Sequence, residues 1–189
     1  MPADLLSDEQ KHRTNPGRET PGSAAETIQV VEFLLSKEHY AIDLYDVREV
    51  VDYTKITRLP NAPAYIKGII DLRGEITTIV DLDERLNVNA AGSDLPDENR
   101  RIIVLDEKLT GVKMGIIVDD VLSVSTFDPD DVDRSSASLY NEDQAIMGII
   151  RKKVRLHDRV VSDLIVWICI HRILRDIEGT TPQKNPLTS

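Results

Sequence analysis

From residue 28 to 177 the chain alternates short apolar or β-branched runs with polar turns, a pattern of strands more than of helices. The run 28–35 stops at Ser36-Lys-Glu-His39 and alternation resumes over 40–44, which predicts a hairpin. Over 45–51, Val47, Val50 and Val51 fall at helical spacing behind Asp46, a residue type that caps helices, so one or two helical turns are predicted there. Pro60 and Pro63 make 57–63 extended. Strands at 66–72 and 76–82 flank Arg73-Gly74, where glycine allows the positive backbone angle of a tight turn. After a polar loop, 87–99, strands follow at 101–105 and 114–118 with Gly111 in the turn between them. A β-branched run at 165–170 ends the sheet, and 172–177 forms a short helix before Gly179.

Two internal matches give this string of strands an architecture. Tyr40-Ala-Ile-Asp-Leu-Tyr-Asp-Val47 aligns with Met114-Gly-Ile-Ile-Val-Asp-Asp-Val121 at an offset of 74 residues. Ala64-Tyr-Ile-Lys-Gly-Ile-Ile70 aligns with Gln144-Ala-Ile-Met-Gly-Ile-Ile150 at an offset of 80, repeating Ile-x-Gly-Ile-Ile. Two copies of one small barrel about a pseudo-twofold axis account for both. Gly68 lies 13 positions before Asp81, whereas Gly148 lies 21 before its counterpart Cys169, so the second copy carries about eight extra residues around 151–159. A lengthened hairpin is the expected consequence.

The flanks have a different composition. Residues 1–27 hold Pro2, Pro16, Pro21, Gly17 and Gly22 among charged and small side chains, and 178–189 hold Gly179, Pro182 and Pro186, so both are expected to be disordered tails. The folded part is then 28–177, in two intertwined units of about 28–100 and 101–177. The 41% apolar residues of the whole chain suffice for a core. A net charge of −10 and a pI near 4.9 disfavour nucleic acid, whose phosphates call for clustered Lys and Arg. Cys169, the single cysteine, has no partner for an internal disulfide, no basic-then-apolar leader is visible, and the apolar stretch 164–170 is too short to span a bilayer. The chain reads as cytosolic, with no membrane insertion.

Few residues suggest chemistry. Asp81, Asp83 and Glu84 are the acids that a ligand-binding barrel or hydrolase would use, but Asp81 falls at a strand end and the other two open a helical turn, where carboxylates favour the helix dipole. Asp128-Pro-Asp-Asp-Val-Asp133 lacks the glycine and distal glutamate of a calcium loop and reads as a solvated acidic loop. His12, His39, His157 and His171 lack metal-ligand spacing. Cys169 sits in an apolar run and reads as a core residue. Arg151-Lys-Lys-Val-Arg155 is the one local basic run, a solvated hairpin or a contact for an acidic protein.

Several motifs in order resemble the CheW family, the adaptors that couple chemoreceptors to the histidine kinase CheA. They are Tyr40-Ala-Ile-Asp-Leu44, Val47-Arg-Glu-Val50, Ile56-Thr-Arg-Leu-Pro-Asn-Ala-Pro-Ala-Tyr-Ile-Lys-Gly68, Leu72-Arg-Gly74, Val80-Asp-Leu82 and Gly115-Ile-Ile-Val-Asp119, within a resemblance covering 28–177. The resemblance implies a mostly β fold of two five-stranded SH3-like barrels around a shared core, with short helices and a short C-terminal helix. It implies no catalysis and no cofactor. It implies a receptor-binding face of Val47, Glu49 and Arg73, a kinase-facing strand at Ile102 and Ile103, and structural turn glycines at Gly68, Gly74 and Gly148; by residue type, Gly68 is expected to permit close backbone packing and Gly74 to close the turn. The partners implied are the CheA regulatory domain and the chemoreceptor hairpin tip, at membrane-associated arrays. Asp71 stands where the family usually has asparagine, Thr78 where proline is common, and Cys169 where Asp or Asn usually ends the last strand.

Overall fold

The computed structural model describes residues 27–88, 96–135, 145–156 and 159–178, so both expected tails, apart from Thr27 and Glu178, and the hairpin tip at 157–158 lie outside the described residues. Strands β1 (Ile28–Leu35) and β2 (Glu38–Asp43) are joined by Ser36 and Lys37, both left-handed at φ 52° and 71°, the mirror-image turn that suits the strand twist. A 3-10 turn, Leu44–Asp46, follows, and Asp43, not Asp46, caps it by accepting from the Tyr45 amide. Of the one or two helical turns expected over 45–51, only this 3-10 turn forms, and it begins at Leu44. Val47–Asp52 is strand β3, alternately half-buried and exposed. Its Val-x-x-Val-Val spacing fits a helix and a strand equally over six residues, and pairing with a neighbour decides.

Strands β4 (Ile66–Leu72) and β5 (Glu75–Asp81) close on Arg73 and Gly74, with φ of 55° and 85°, and Asp71 Oδ1 accepts from the Gly74 amide at 2.6 Å. Asp71 thus does the turn work of an asparagine. Helix α1 (Leu82–Leu86) ends at left-handed Asn87. Strand β6 (Arg101–Leu105) leads to a four-residue helix α2 (Glu107–Thr110), capped by Asp106 and ended by Gly111, and then to β7 (Met114–Val118). The alternation of β8 (Asp120–Phe127) and the two-residue β9 (Val132–Asp133) had no separate prediction. The long hairpin of β10 (Ile146–Leu156) and β11 (Arg159–Ile168) is the expected insertion, and α3 (Ile170–Glu178) begins two residues earlier than its sequence suggests.

The strands form two sheets, β8-β1-β2-β11-β10-β9 and β3-β6-β7-β5-β4. Each contains one parallel pair, β2 with β11 and β7 with β5, flanked by antiparallel neighbours. The strand orders therefore superimpose term by term, and the extra β9 corresponds to the isolated bridge between Thr57 and Ile69 in the other sheet. Even single hydrogen bonds repeat, Asp81 N to Tyr65 O in one copy and Cys169 N to Ala145 O in the other. This is the mostly β, pseudo-twofold, two-barrel fold that the internal matches predict. Each sheet draws strands from both sides of residue 100, since β1 and β2 join β8–β11 while β6 and β7 join β3–β5.

Burial follows from period-two alternation in strands covered on both faces. In β1, Val31, Phe33 and Leu35 enter a core shared by the barrels while Val30 points into its own barrel; in β6, Ile103 and Leu105 enter the shared core while Ile102 and Val104 fill the other barrel. Of the three glycines Gly74 alone lies in a turn, while Gly68 makes the close backbone approach expected of it. Gly68 and Gly148 sit at bulges in β4 and β10, where the chain comes too close for a side chain: a Cβ on Gly68 would lie 2.2 Å from the Thr57 carbonyl oxygen, and one on Gly148 would lie 2.8 Å from Val132.

Candidate functional site: a charged rim and a buried arginine

The turn between β4 and β5 reaches over β3, because barrel closure brings the hairpin tip against the edge strand. Arg73 donates through Nη1 and Nη2 to Glu49 Oε1 and Oε2 at 3.4 and 2.8 Å, a two-pronged pair. The guanidinium side chain is 75% exposed while that of Glu49 is 21% exposed, so the acid anchors the base from below and leaves its outer edge open. Glu75 beside it accepts from Lys113 at 2.5 Å and from Arg48 at 3.5 Å. The Lys113 hydrogen bond and charge hold the Glu75 carboxyl below its ordinary value, with Arg48 adding to the effect. Val47 is half-buried at the base of this rim, and Val50 and Ile76 are exposed apolar residues on the same two elements. Three residues predicted to act together, Val47, Glu49 and Arg73, are thus on one edge, two of them in contact.

Ile102 and Ile103 have no such position. Both are 0% exposed, one filling a barrel and the other the shared core, so neither side chain offers a surface to a kinase. Their strand lies between β3 and β7, and a central strand covered on both faces buries successive residues.

The carboxylates of the rival enzyme reading meet a basic partner that the sequence hid. Arg100 is 3% exposed and its guanidinium lies 3.6 Å from Asp81, 2.5 Å from Asp83 and 3.5 Å from Asp119. Ser36 donates its hydroxyl to Asp83 and its amide to Asp119, and Lys67 reaches Asp81 at 3.2 Å. Burial pushes the Asp83 carboxyl up, against the lowering by Ser36 and Arg100. Burial likewise raises Asp46, 3.8 Å from His171. Glu84 is exposed and outside the cluster. Asp81 and Glu84 border a groove of about 270 Å³ whose lining does not include Asp83, which turns inward to Arg100. Acid-base catalysis needs a carboxylate facing substrate; Asp81 and Asp83 face cations, whereas Glu84 is solvent-exposed. Arg100 could not be singled out because it precedes Arg101 and nothing in the sequence distinguishes the buried base from the exposed one, while Asp119 is legible only as the end of the Gly115–Asp119 motif.

An apolar groove of about 470 Å³ adjoins the one beside Asp81 and Glu84, sharing Leu59, Ala62, Pro63 and Ile66 with it and walled also by Pro60, Tyr65, Met114 and Ile177. Ile66 opens β4 and Arg73 follows its far end, so about 20 Å of strand separates the groove's Ile66 wall from the charged rim. Among the described residues no group of three or more His, Cys, Asp or Glu is arranged to hold a metal, and no helix is long and apolar enough to cross a membrane.

A family model described as CheW-like domain matches residues 29–178. The chain is 30% identical over 153 residues to the chemotaxis protein CheW of Treponema pallidum, covering 81% of this chain and 85% of that one. It is 33% identical over 126 residues to the CheW of Rhizobium meliloti, covering 65% and 72%. Among solved structures it is similar to the scaffolding protein TtCheW from Thermoanaerobacter tengcongensis, with a TM-score of 0.62 and 32% identity over 78% of this chain and 92% of that one.

Proposed function

The chain belongs to the CheW family of chemotaxis scaffold proteins, and on that premise we propose that it is a non-catalytic adaptor coupling chemoreceptors to the histidine kinase CheA. It works in the cytoplasm, at receptor arrays on the membrane. The observation that carries the receptor half is the Glu49–Arg73 pair, an exposed guanidinium fixed in direction by a half-buried carboxylate and flanked by Val47. Such a group gives orientation more than bulk affinity: its free N–H edge reads a carboxylate, side-chain amide or backbone carbonyl on a receptor helix, while the apolar neighbours supply contact area. The kinase half rests on surfaces other than Ile102 and Ile103, with the CheA regulatory domain as partner. Two stiff barrels sharing one core transmit a shift at one face to the other without internal rearrangement.

The test is calorimetric binding of a receptor cytoplasmic fragment to wild type and Arg73→Glu, followed by kinase reconstitution with CheA. The reversed charge faces Glu49 as well as the receptor, so receptor affinity is expected to fall by about tenfold or more, with the melting temperature little changed because the rim is solvated. Undiminished affinity would remove Arg73 from the receptor face. Kinase output indifferent to the protein would overturn the adaptor reading itself.

A further inference from the structure

The pseudo-twofold axis maps the Val47, Glu49 and Arg73 face onto the second barrel at Val121, Ser123 and Lys153, and there the chemistry changes. The eight extra residues extend β10 and β11 into an arm whose outer face carries Arg151, Lys153 and Arg155 on one strand. Directly across from them stand Leu164, Ser162 and Val160. Arg151 is 62% exposed and reaches Asp133 at 3.1 Å; Lys153 and Arg155 are exposed and have no ion-pair partner among the described residues. Leu164 and Val160 are 57% and 63% exposed, large values for apolar side chains held in regular strand. In a chain of net charge −10, this is a local concentration of cations beside two exposed apolar groups with Ser162 between them.

We propose that this arm is a docking face for an acidic amphipathic helix of a partner protein. Alternate residues of a strand are about 6.8 Å apart, and carboxylates at i and i+4 of a helix rise by about 6 Å, so an acidic ridge matches the Arg151, Lys153 and Arg155 row. The two apolar groups lie one strand away, about 5 Å, as adjacent ridges lie on a helix surface. An extended peptide fits less well, because its alternate side chains point to opposite faces and it cannot present both rows at once. The arm is independent of the Arg73 rim, and its failure would leave the adaptor reading intact.

The test is fluorescence anisotropy of the full chain with two labelled helical peptides of identical composition, one with Glu at every fourth position beside a Leu row, the other scrambled. The ordered peptide is expected to bind about tenfold or more tightly than the scrambled one, and to weaken as salt rises from about 0.1 to about 0.5 M. Arg151→Ser combined with Lys153→Ser and Arg155→Ser, at an unchanged melting temperature, abolishes the difference. Leu164→Ser with Val160→Ser weakens the ordered peptide but keeps its salt dependence. Equal binding of the two peptides, or full binding by the triple variant, overturns the proposal. So does binding to phosphatidylserine vesicles without discrimination between peptides, or self-association that the triple variant removes while the ordered peptide stays unbound.

Discussion

Residue by residue, the two copies are most informative where one has broken the symmetry. Register places Glu32 of β1 at the position of Val104 in β6, and Lys152 of β10 at the position of Leu72 in β4. In one barrel Leu72 packs against the apolar cluster that includes Val104; in the other, Lys152 Nζ donates to both oxygens of Glu32, at 2.8 and 2.7 Å. Glu32 is only 1% exposed, so the pair replaces an apolar contact with a desolvated one. Lys152→Met should strand that carboxylate and cost about 3–5 kcal/mol in chemical denaturation, while Glu32→Val with Lys152→Leu, copying the first barrel, should recover most of it. A double variant no better than the single would mean that the ion pair is not what the site requires. At the rim the electrostatics run the other way. Glu75 has its folded pKa depressed, so its contribution is present above the ordinary value of 4.5 and is lost as pH falls through the lower folded pKa. Lys113→Met should return its carboxyl titration, followed by NMR, toward 4.5; an unmoved midpoint would assign the depression to Arg48.

Among the elements, those that announced themselves had local turn chemistry. Arg73-Gly74 and Ser36-Lys37 close two-residue hairpins; both are legible from polar stretches between apolar runs, although for Ser36-Lys37 the polar stretch covers the four residues Ser36 to His39. Strand β3 was not legible, because six residues cannot separate a helical from a strand period, and β8 was missed because Ser123, Ser125 and Thr126 dilute its apolar alternation. The bulge glycines show the same limit. Close packing at Gly68 and a turn at Gly74 are legible, but Gly148, expected as a turn glycine, is instead a second close approach. Gly68→Ala should therefore destabilise severely, by about 3 kcal/mol or more, since Thr57 backbone rather than a movable side chain occupies the space and φ is 147°. Gly74→Ala, with nothing within 4 Å, should cost only the left-handed penalty of about 1 kcal/mol. Thermal denaturation compares them, and equal losses would contradict this division.

Across the whole molecule, the repeat made the architecture legible, but the polar joint between the barrels was not. Ser36 closes a hairpin of one sheet, Asp81 and Asp83 end a strand and open a helix of the other, and Asp119 stands where the chain passes from β7 to β8 and so from one sheet to the other. Arg100 gathers the three carboxylates at a point that no local pattern could indicate, since its partners are 17 to 19 residues away along the chain and Ser36 is 64 away. One guanidinium for three buried acids leaves the cluster acid-rich, and Lys67 compensates in part. Arg100→Met should then destabilise by about 3–5 kcal/mol at neutral pH, because the acids lose their principal counter-charge while staying desolvated. The pH dependence fixes the cause. Without the arginine the Asp83 carboxyl, already raised by burial, rises further above its unfolded value, so the folded state holds more protons and its stability falls as pH rises through that range. The deficit relative to wild type should accordingly shrink between pH 7 and about pH 4.5, measured as the difference in urea midpoints. A deficit constant across that range would make Arg100 a packing residue rather than the charge that holds the two barrels together.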